Sequence, residues 1–419
     1  MKSLYRWLQT VDDYRCGRKT KHDQTEMLTV IILGFLAGKM TLRTIIRWAQ
    51  SHLSELRKYL KLREGIPSAA TLSRMLAGID ETQLMLAFIS WMSDVMGTSD
   101  RHIAVDGKGL RGSALKVSGE NTPYILNAMD VGTCLVIGQY AIPTKTNEIT
   151  AIPDLLELLN IKGCTVTIDA IGTMPDIIAK ILEVGAHFVL QVKKNQKSLY
   201  DNIQRFFDLL AGEKEVMPER FAVKYAPSYS QHDYGLVKNR DRYENRVVEG
   251  YTGMDVTGKF WDRVPEIRSI GRLTQTRIKL CRDRDGNDIT PSLSDFLENG
   301  SIRQPKVKEG DEADDDIQRV GIISDRVLDA ESMAAYKREH WAVENKLHYI
   351  LDMTYKEDRS TIRKGKVNAA VLRKIAYNII RLVMIESKDE NALFQDVFNK
   401  VADEWKSATK YIFEPVSAG

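Results

Sequence analysis

Between Arg101 and Val192 the apolar pattern leaves the helical period and alternates strand with helix in a fixed order. His102-Ile103-Ala104-Val105-Asp106 is a short β-type run stopped by Gly107-Lys108-Gly109, and strands are predicted at Tyr124 to Met129 and Cys134 to Ile142. A helix from about Thr150 to Leu159 then leads into the strand Cys164 to Asp169. A helix from Pro175 to Val184 ends at Gly185, where a left-handed cap is natural, and His187 to Val192 is a last strand. Three strands in a row followed by right-handed crossovers predict an α/β fold with a mixed sheet, its first and fourth strands side by side and parallel. Asp106 and Asp169 then share one edge, each at the carboxyl end of its strand, where open α/β sheets carry ligands.

Helix flanks this block. From Leu4 to Met96 apolar residues such as Leu42, Ile45, Ile46, Ala49 and Leu53 recur at helical spacing, and Asp80 with Gln83 opens a capped helix. Residues 1–98 are read as a helical amino-terminal accessory domain. Pro67 to Arg74 within it fits a short DNA-reading helix that presents Arg74, and fits an ordinary packing helix equally well. Residues 99–200 form the first part of the core, and 201–327 an inserted β-rich subdomain with strand-like runs at Arg246 to Tyr251 and Ile267 to Leu273. The acidic run from Gly310 to Asp316 reads as a solvated loop. Helix returns from Ala330 to Leu351 and from Val367 to Ile385, so 328–388 closes the core, and 389–419 is a tail that either docks on it or meets a partner.

Composition narrows the setting. With 419 residues, 60 Lys plus Arg against 57 Asp plus Glu and a formal charge of +3, any basic surface must be local. The four cysteines, Cys16, Cys134, Cys164 and Cys281, form no CxxC pair, which argues against structural zinc and a disulfide framework and fits a reducing cytoplasm. Met1 to Arg15 lacks an apolar signal core and Met27 to Gly38 is too short to span a bilayer, so no membrane association is expected.

Two neighbouring strand-end carboxylates repel unless a cation or proton neutralises them, and a divalent metal does so. A third acid, Glu344, lies in Tyr336 to Tyr349; in a regular helix it shares a face with Trp341, Leu347 and Leu351, which points it into packed structure. Buried there, its carboxylate needs a partner such as that metal.

Five stretches in order carry a resemblance: Ala104-Val105-Asp106-Gly107-Lys108-Gly109-Leu110-Arg111-Gly112-Ser113, Asn147-Glu148-Ile149-Thr150-Ala151-Ile152-Pro153, Thr167-Ile168-Asp169-Ala170, Lys193-Lys194-Asn195-Gln196 and His340-Trp341-Ala342-Val343-Glu344-Asn345. The chain resembles the H-repeat-associated, ISAs-type insertion-sequence transposases from about Leu4 to Leu382. The resemblance implies a DDE transposase with a ribonuclease-H-like core, the triad Asp106, Asp169 and Glu344, and an insertion domain before the last catalytic helix. It departs from the family in two places: Tyr234 to Arg240 lacks the Gly-Arg-x-Glu-x-Arg signature, and Cys281 to Gln318 is longer than usual.

Three carboxylates carry charge enough for two Mg2+ ions about 3.5–4 Å apart, with Mn2+ able to substitute, the arrangement for cutting and joining phosphodiesters. Lys108, Arg111, Lys193 and Lys194 are then placed for phosphates, Asn195 and Gln196 for sugar or base edges, and His340 for the attacking or departing group. The expected partners are double-stranded DNA, as element terminal inverted repeats and as target, and a second copy of the chain on that DNA. Two other readings stand beside this one. His340, Glu344 and His348 recur every four residues, a spacing that also binds zinc or iron in a hydrolase, and a domesticated, catalytically silent DNA-binding protein retains the same residues.

Overall fold

The computed structural model describes residues 1–15, 20–97, 100–110, 123–142, 148–239, 242–253, 264, 266–280 and 317–418. Arg111, the acidic run up to Asp316 and most of the long stretch from Cys281 fall outside the described residues. The chain divides into two compact units.

The first unit holds Met1–Val166, Lys180–Ala186 and His340–Gly419. Its amino-terminal helices start where short polar side chains cap them: α1 (Leu4–Leu8) at Ser3, α2 (Gln24–Leu36) at Asp23, α3 (Leu42–Ser51) at a Thr41/Thr44 capping box, α5 (Ala69–Gly78) at Ser68 and α6 (Glu81–Met96) at Asp80. The short α4 spans Leu53–Leu56. Every residue of α2 is buried, as its nearly uniform apolar surface demands.

Strands β1 (His102–Gly109), β2 (Tyr124–Asp130) and β3 (Val136–Ile142) form an antiparallel meander in this unit. β1 runs through Gly107-Lys108-Gly109 instead of stopping there. The ring of Tyr124 covers Gly107 so closely that a Cβ would lie 2.1 Å from it, so a residue without a side chain is what lets the strand continue. Asp106 is therefore in mid-strand, paired with Asn127, and not at the strand end that the sequence suggests. On the far side of β1, Thr165 at the start of β4 (Thr165–Ile168) donates its N–H to the Arg101 carbonyl at 2.7 Å. Helix α7 (Glu148–Leu158) packs on β2 and β3.

The carboxy-terminal helix Lys366–Ser387 is buried along nearly its whole length. Polar side chains fix its depth. Asn368 donates to the carbonyls of Leu76 and Ile79 at 2.8 and 3.0 Å, where α5 ends. Asn378 accepts from the Val136 N–H at 2.9 Å and donates to the Val136 carbonyl at 2.8 Å, completing the backbone pairing of β3 where a bulge interrupts it. The tail docks on this unit: Phe394 stacks on Tyr377 with centroids 5.3 Å apart, and Trp405 meets Trp48 edge-on at 5.2 Å.

The second unit holds Thr167–Ala179 and His187–Glu339. β5 (His187–Val192) pairs with β10 (Ile317–Ser324), which pairs with β9 (Ser269–Lys279), then β8 (Arg242–Thr252), β6 (Tyr229–Asp233) and β7 (Val237–Asn239), all antiparallel. The strand that closes the sequence-defined core block thus shares a sheet with strands of the expected insertion. One face is covered by the helix Ala330–Glu339, whose Met333 packs among Val189, Val248, Leu273 and Ile322. A 20-residue helix, Lys197–Val216, also packs on this sheet, at the start of the stretch expected to be β-rich; Leu199, Ile203, Phe207 and Leu210 form its buried stripe. The shorter helix Pro218–Lys224 follows it.

Candidate active site

Asp106 is held from two elements. Its neighbour on β2, Asn127, lies between the apolar Leu126 and Ala128 and is fully buried. His348 bridges the two: its Nδ1 lies 3.4 Å from Asp106 Oδ2 and its Nε2 3.2 Å from Asn127 Nδ2. Burial, reinforced by Lys108 and Lys374, lowers the His348 pKa to about 3, so the imidazole is neutral near pH 7. The Asn127 amide nitrogen can only donate, so Nε2 accepts from it and the ring proton sits on Nδ1, the nitrogen that faces Asp106. The contact with Asp106 is a close approach of a ring nitrogen to a carboxylate, at 3.4 Å.

Two residues on, Lys108 is buried and its ammonium is surrounded by acids: Asp352 at 2.7 Å, Asp358 at 3.2 Å and Glu357 at 3.9 Å. Burial alone would lower its pKa, but Glu357 and the bond from Asp352 outweigh that and raise it. Glu357 is 1% exposed, and neither of its carboxylate oxygens has a hydrogen-bond partner among the described residues. The buried Arg373 and Lys374 lie beyond it, bonded to Ser360 Oγ and Gln139 Oε1. Burial lowers the Lys374 pKa to about 8, against the opposing pull of Glu357.

The helix bearing His348 is not regular. It winds as a π-helix from Val343 to His348, with the Tyr349 N–H reaching back five residues to the Glu344 carbonyl, and continues as an α-helix from Tyr349 to Met353. A π turn is wider than the α turn, so side chains spaced by four, not by three, stay on one line. Val343, Leu347 and Leu351 are accordingly the buried line, each 0% exposed. The expectation that Glu344 shares a packed face with Trp341 fails for this reason: both are exposed, and Glu344 begins a line that continues through His348 and Asp352.

Residues 97–379 match the family model described as "Transposase DDE domain", and residues 5–92 match one described as "DDE_Tnp_1-associated". The chain belongs to the DDE transposase family. Among similar proteins of this transposase, YbfL and the H repeat-associated YhhI of Escherichia coli K12 are each 31% identical over 386 residues, covering 91% of this chain and 90% of theirs. YncI of Escherichia coli O157:H7 is 29% identical over 385 residues, covering 91% of this chain and 88% of its own. A piggyBac transposase synaptic complex with hairpin DNA superposes at a TM-score of 0.41 with 9% identity, over 98% of this chain and 80% of that one.

The family uses divalent metals. Asp106, Asp169 and Glu344 are oxygen donors throughout, the donor chemistry of a hard cation. Among the described residues no three His, Cys, Asp or Glu side chains are grouped so as to hold a metal ion. Of the three acids expected from the sequence, Asp106 and Glu344 belong to the first unit and Asp169 to the second. No such group is formed by His340, Glu344 and His348, whose four-residue spacing looked suited to zinc or iron: His340 is buried while Glu344 is exposed.

Asp169 directly follows β4 and opens a 3-10 turn, Ala170–Gly172, so its strand-end position is as the sequence suggests. Its exposed carboxylate accepts from Lys193 Nζ at 3.1 Å. Lys194 is exposed, Asn195 donates to the Ala170 carbonyl at 3.0 Å, and Gln196 is turned to Met174 Sδ at 3.0 Å. Arg74 lies exposed on α5, away from its buried side of Leu72, Met75 and Leu76. No helix among the described residues is long and apolar enough to cross a membrane. Sequence reasoning passed over Asn127, Asp352, Glu357 and Asp358. The four-residue spacing of Glu344, His348 and Asp352 was the available signal.

Proposed function

We propose that this chain is a metal-dependent DNA transposase that cleaves the ends of an insertion element and transfers the freed 3′-hydroxyl to target DNA, with Asp106, Asp169 and Glu344 as its catalytic acids. The observation that carries the reading is Asp106 itself: a half-buried carboxylate in the segment matched to the DDE domain, oriented by a neutral histidine on the helix that supplies Glu344. Mg2+, or Mn2+ in its place, supplies charge stabilisation at the phosphate oxygens when bound by the three carboxylates.

The protein's part is orientation and proton placement. His348 lies against Asp106 and is placed to orient its carboxylate. Asp169 is poised differently, its exposed carboxylate paired with a flexible lysine that a phosphate can draw away. In cleavage, water oxygen bonds to phosphorus as the 3′-oxygen bond breaks and takes up a proton. In transfer, that 3′-hydroxyl bonds to a target phosphorus and gives its proton to solvent, while the target's own 3′-oxygen leaves and takes up a proton.

Lys193, Lys194, Arg74 and Arg111 are assigned to phosphates of the terminal inverted repeats and target, which fix position without reading sequence. The enzyme acts at the nucleoid as a dimer that brings two element ends together. The test is cleavage of a duplex carrying the repeats that flank the coding region. Asp106→Asn, Asp169→Asn and Glu344→Gln each abolish cutting while circular dichroism and DNA binding persist. Strong Mg2+-dependent cutting by one of them removes that residue from the set, and binding without cutting by the unaltered chain under every divalent metal identifies a silent DNA-binding protein.

A further inference from the structure

Two lines of side chains face each other in the first unit, and their charges match in only one alignment. The strand line is Asp106 then Lys108, on the same face of β1 because they are two residues apart. The helix line is Glu344, His348, Asp352. His348 meets Asp106 and Asp352 meets Lys108. The spacings agree, since two strand residues span about 6.8 Å and four helical residues about 6 Å.

We infer that Lys108 and Asp352, together with His348 on Asp106, are positioning residues that set the register of the Glu344 helix along the strand of Asp106. A slip of one helical turn, about 5.4 Å, would bring Glu344 or Asp352 against Asp106, carboxylate on carboxylate, and would strip Lys108 of its nearest partner. The alternation of acid, donor and acid against acid and cation therefore disfavours both neighbouring registers. Asp358 and Glu357 hold the same ammonium from the turn after the helix, so Lys108 ties the strand to both ends of that turn. The buried ammonium is thereby a fixed structural charge, and it is not presented to DNA. The consequence for catalysis rests on the reading of Asp106 and Glu344 as catalytic acids; the register itself does not.

The experiment is hydrogen–deuterium exchange on the full chain, read over residues 343–353, beside cleavage of an element end. Lys108→Met and Asp352→Asn are expected to speed exchange of this segment about tenfold or more while α2 and α6 stay protected, and to lower cleavage by a similar factor. Asp352→Glu, which keeps the charge beside Lys108, retains protection and cleavage together. Unchanged exchange in both single variants overturns the inference. So does an Asp352→Glu variant that is no better protected than Asp352→Asn. If protection follows the expected pattern but the unaltered chain does not cut DNA, the register stands and the proposed reaction falls.

Discussion

The Tyr377 hydroxyl lies 2.8 Å from the Lys346 carbonyl, in the middle of the π-helix, and 2.9 Å from the carbonyl of Cys134. Arg381 adds a second donor to Lys346 at 3.1 Å and donates its Nε to the phenol oxygen at 2.9 Å. A widened turn leaves carbonyls poorly served by the helix itself, and here a buried tyrosine and arginine supply the donors. The irregular turn that directs Glu344 outward and His348 inward is thus held from the long carboxy-terminal helix.

Tyr377→Phe removes a donor shared by two carbonyls and the acceptor of Arg381. It should cost about 1–3 kcal/mol, read as a lowered urea midpoint with unchanged slope. Exchange over 343–353 should rise more than exchange over α2. Unaltered stability would mean that the phenol does not hold the π turn.

Lys374 makes stability depend on pH in a definite direction. Its folded pKa of about 8 lies below the unfolded value of 10.5, so between these pH values the unfolded chain binds the extra proton. The burden on the folded state is therefore full below about pH 8, and stability rises as pH climbs towards 10.5, by up to about 3 kcal/mol in all. The check compares urea midpoints of the parent and Lys374→Met across this range, since other groups titrate in both. The parent should gain relative to the variant; parallel curves would contradict a depressed pKa.

Gly107→Ala places a methyl against the Tyr124 ring, 2.1 Å from its nearest atom before relaxation. Overpacking of this kind costs about 1–3 kcal/mol. In a Tyr124→Ala background the same change should cost less than half as much, because the obstruction is gone and alanine suits a strand better than glycine. Equal costs in both backgrounds would show that the glycine is required for another reason.

Much of the fold was legible locally. Helix starts at Ser68, Asp80 and Thr41 follow from a side chain that accepts from its own next turn, a short-range event that sequence records directly. Family membership also lay in the sequence, in five ordered motifs now matched by the family model. The helix Lys197–Val216 was legible too, since its buried residues fall at helical spacing, and it was missed because long polar side chains surround them. By contrast, the continuation of β1 through two glycines depends on a ring fifteen or more residues away in sequence, and no local pattern announces it.

The sequence by itself determined the strands and helices, the acids they carry, and the family they place the chain in, because propensity, capping and alternation act over a few residues. Only the tertiary structure decided that Asn127 and His348 converge on Asp106, that Lys108 is consumed by Asp352, Glu357 and Asp358, and that Glu344 faces outward. Those outcomes turn on strand register and on one widened helical turn, and both are settled by which buried charges and donors find partners across more than 200 residues of chain.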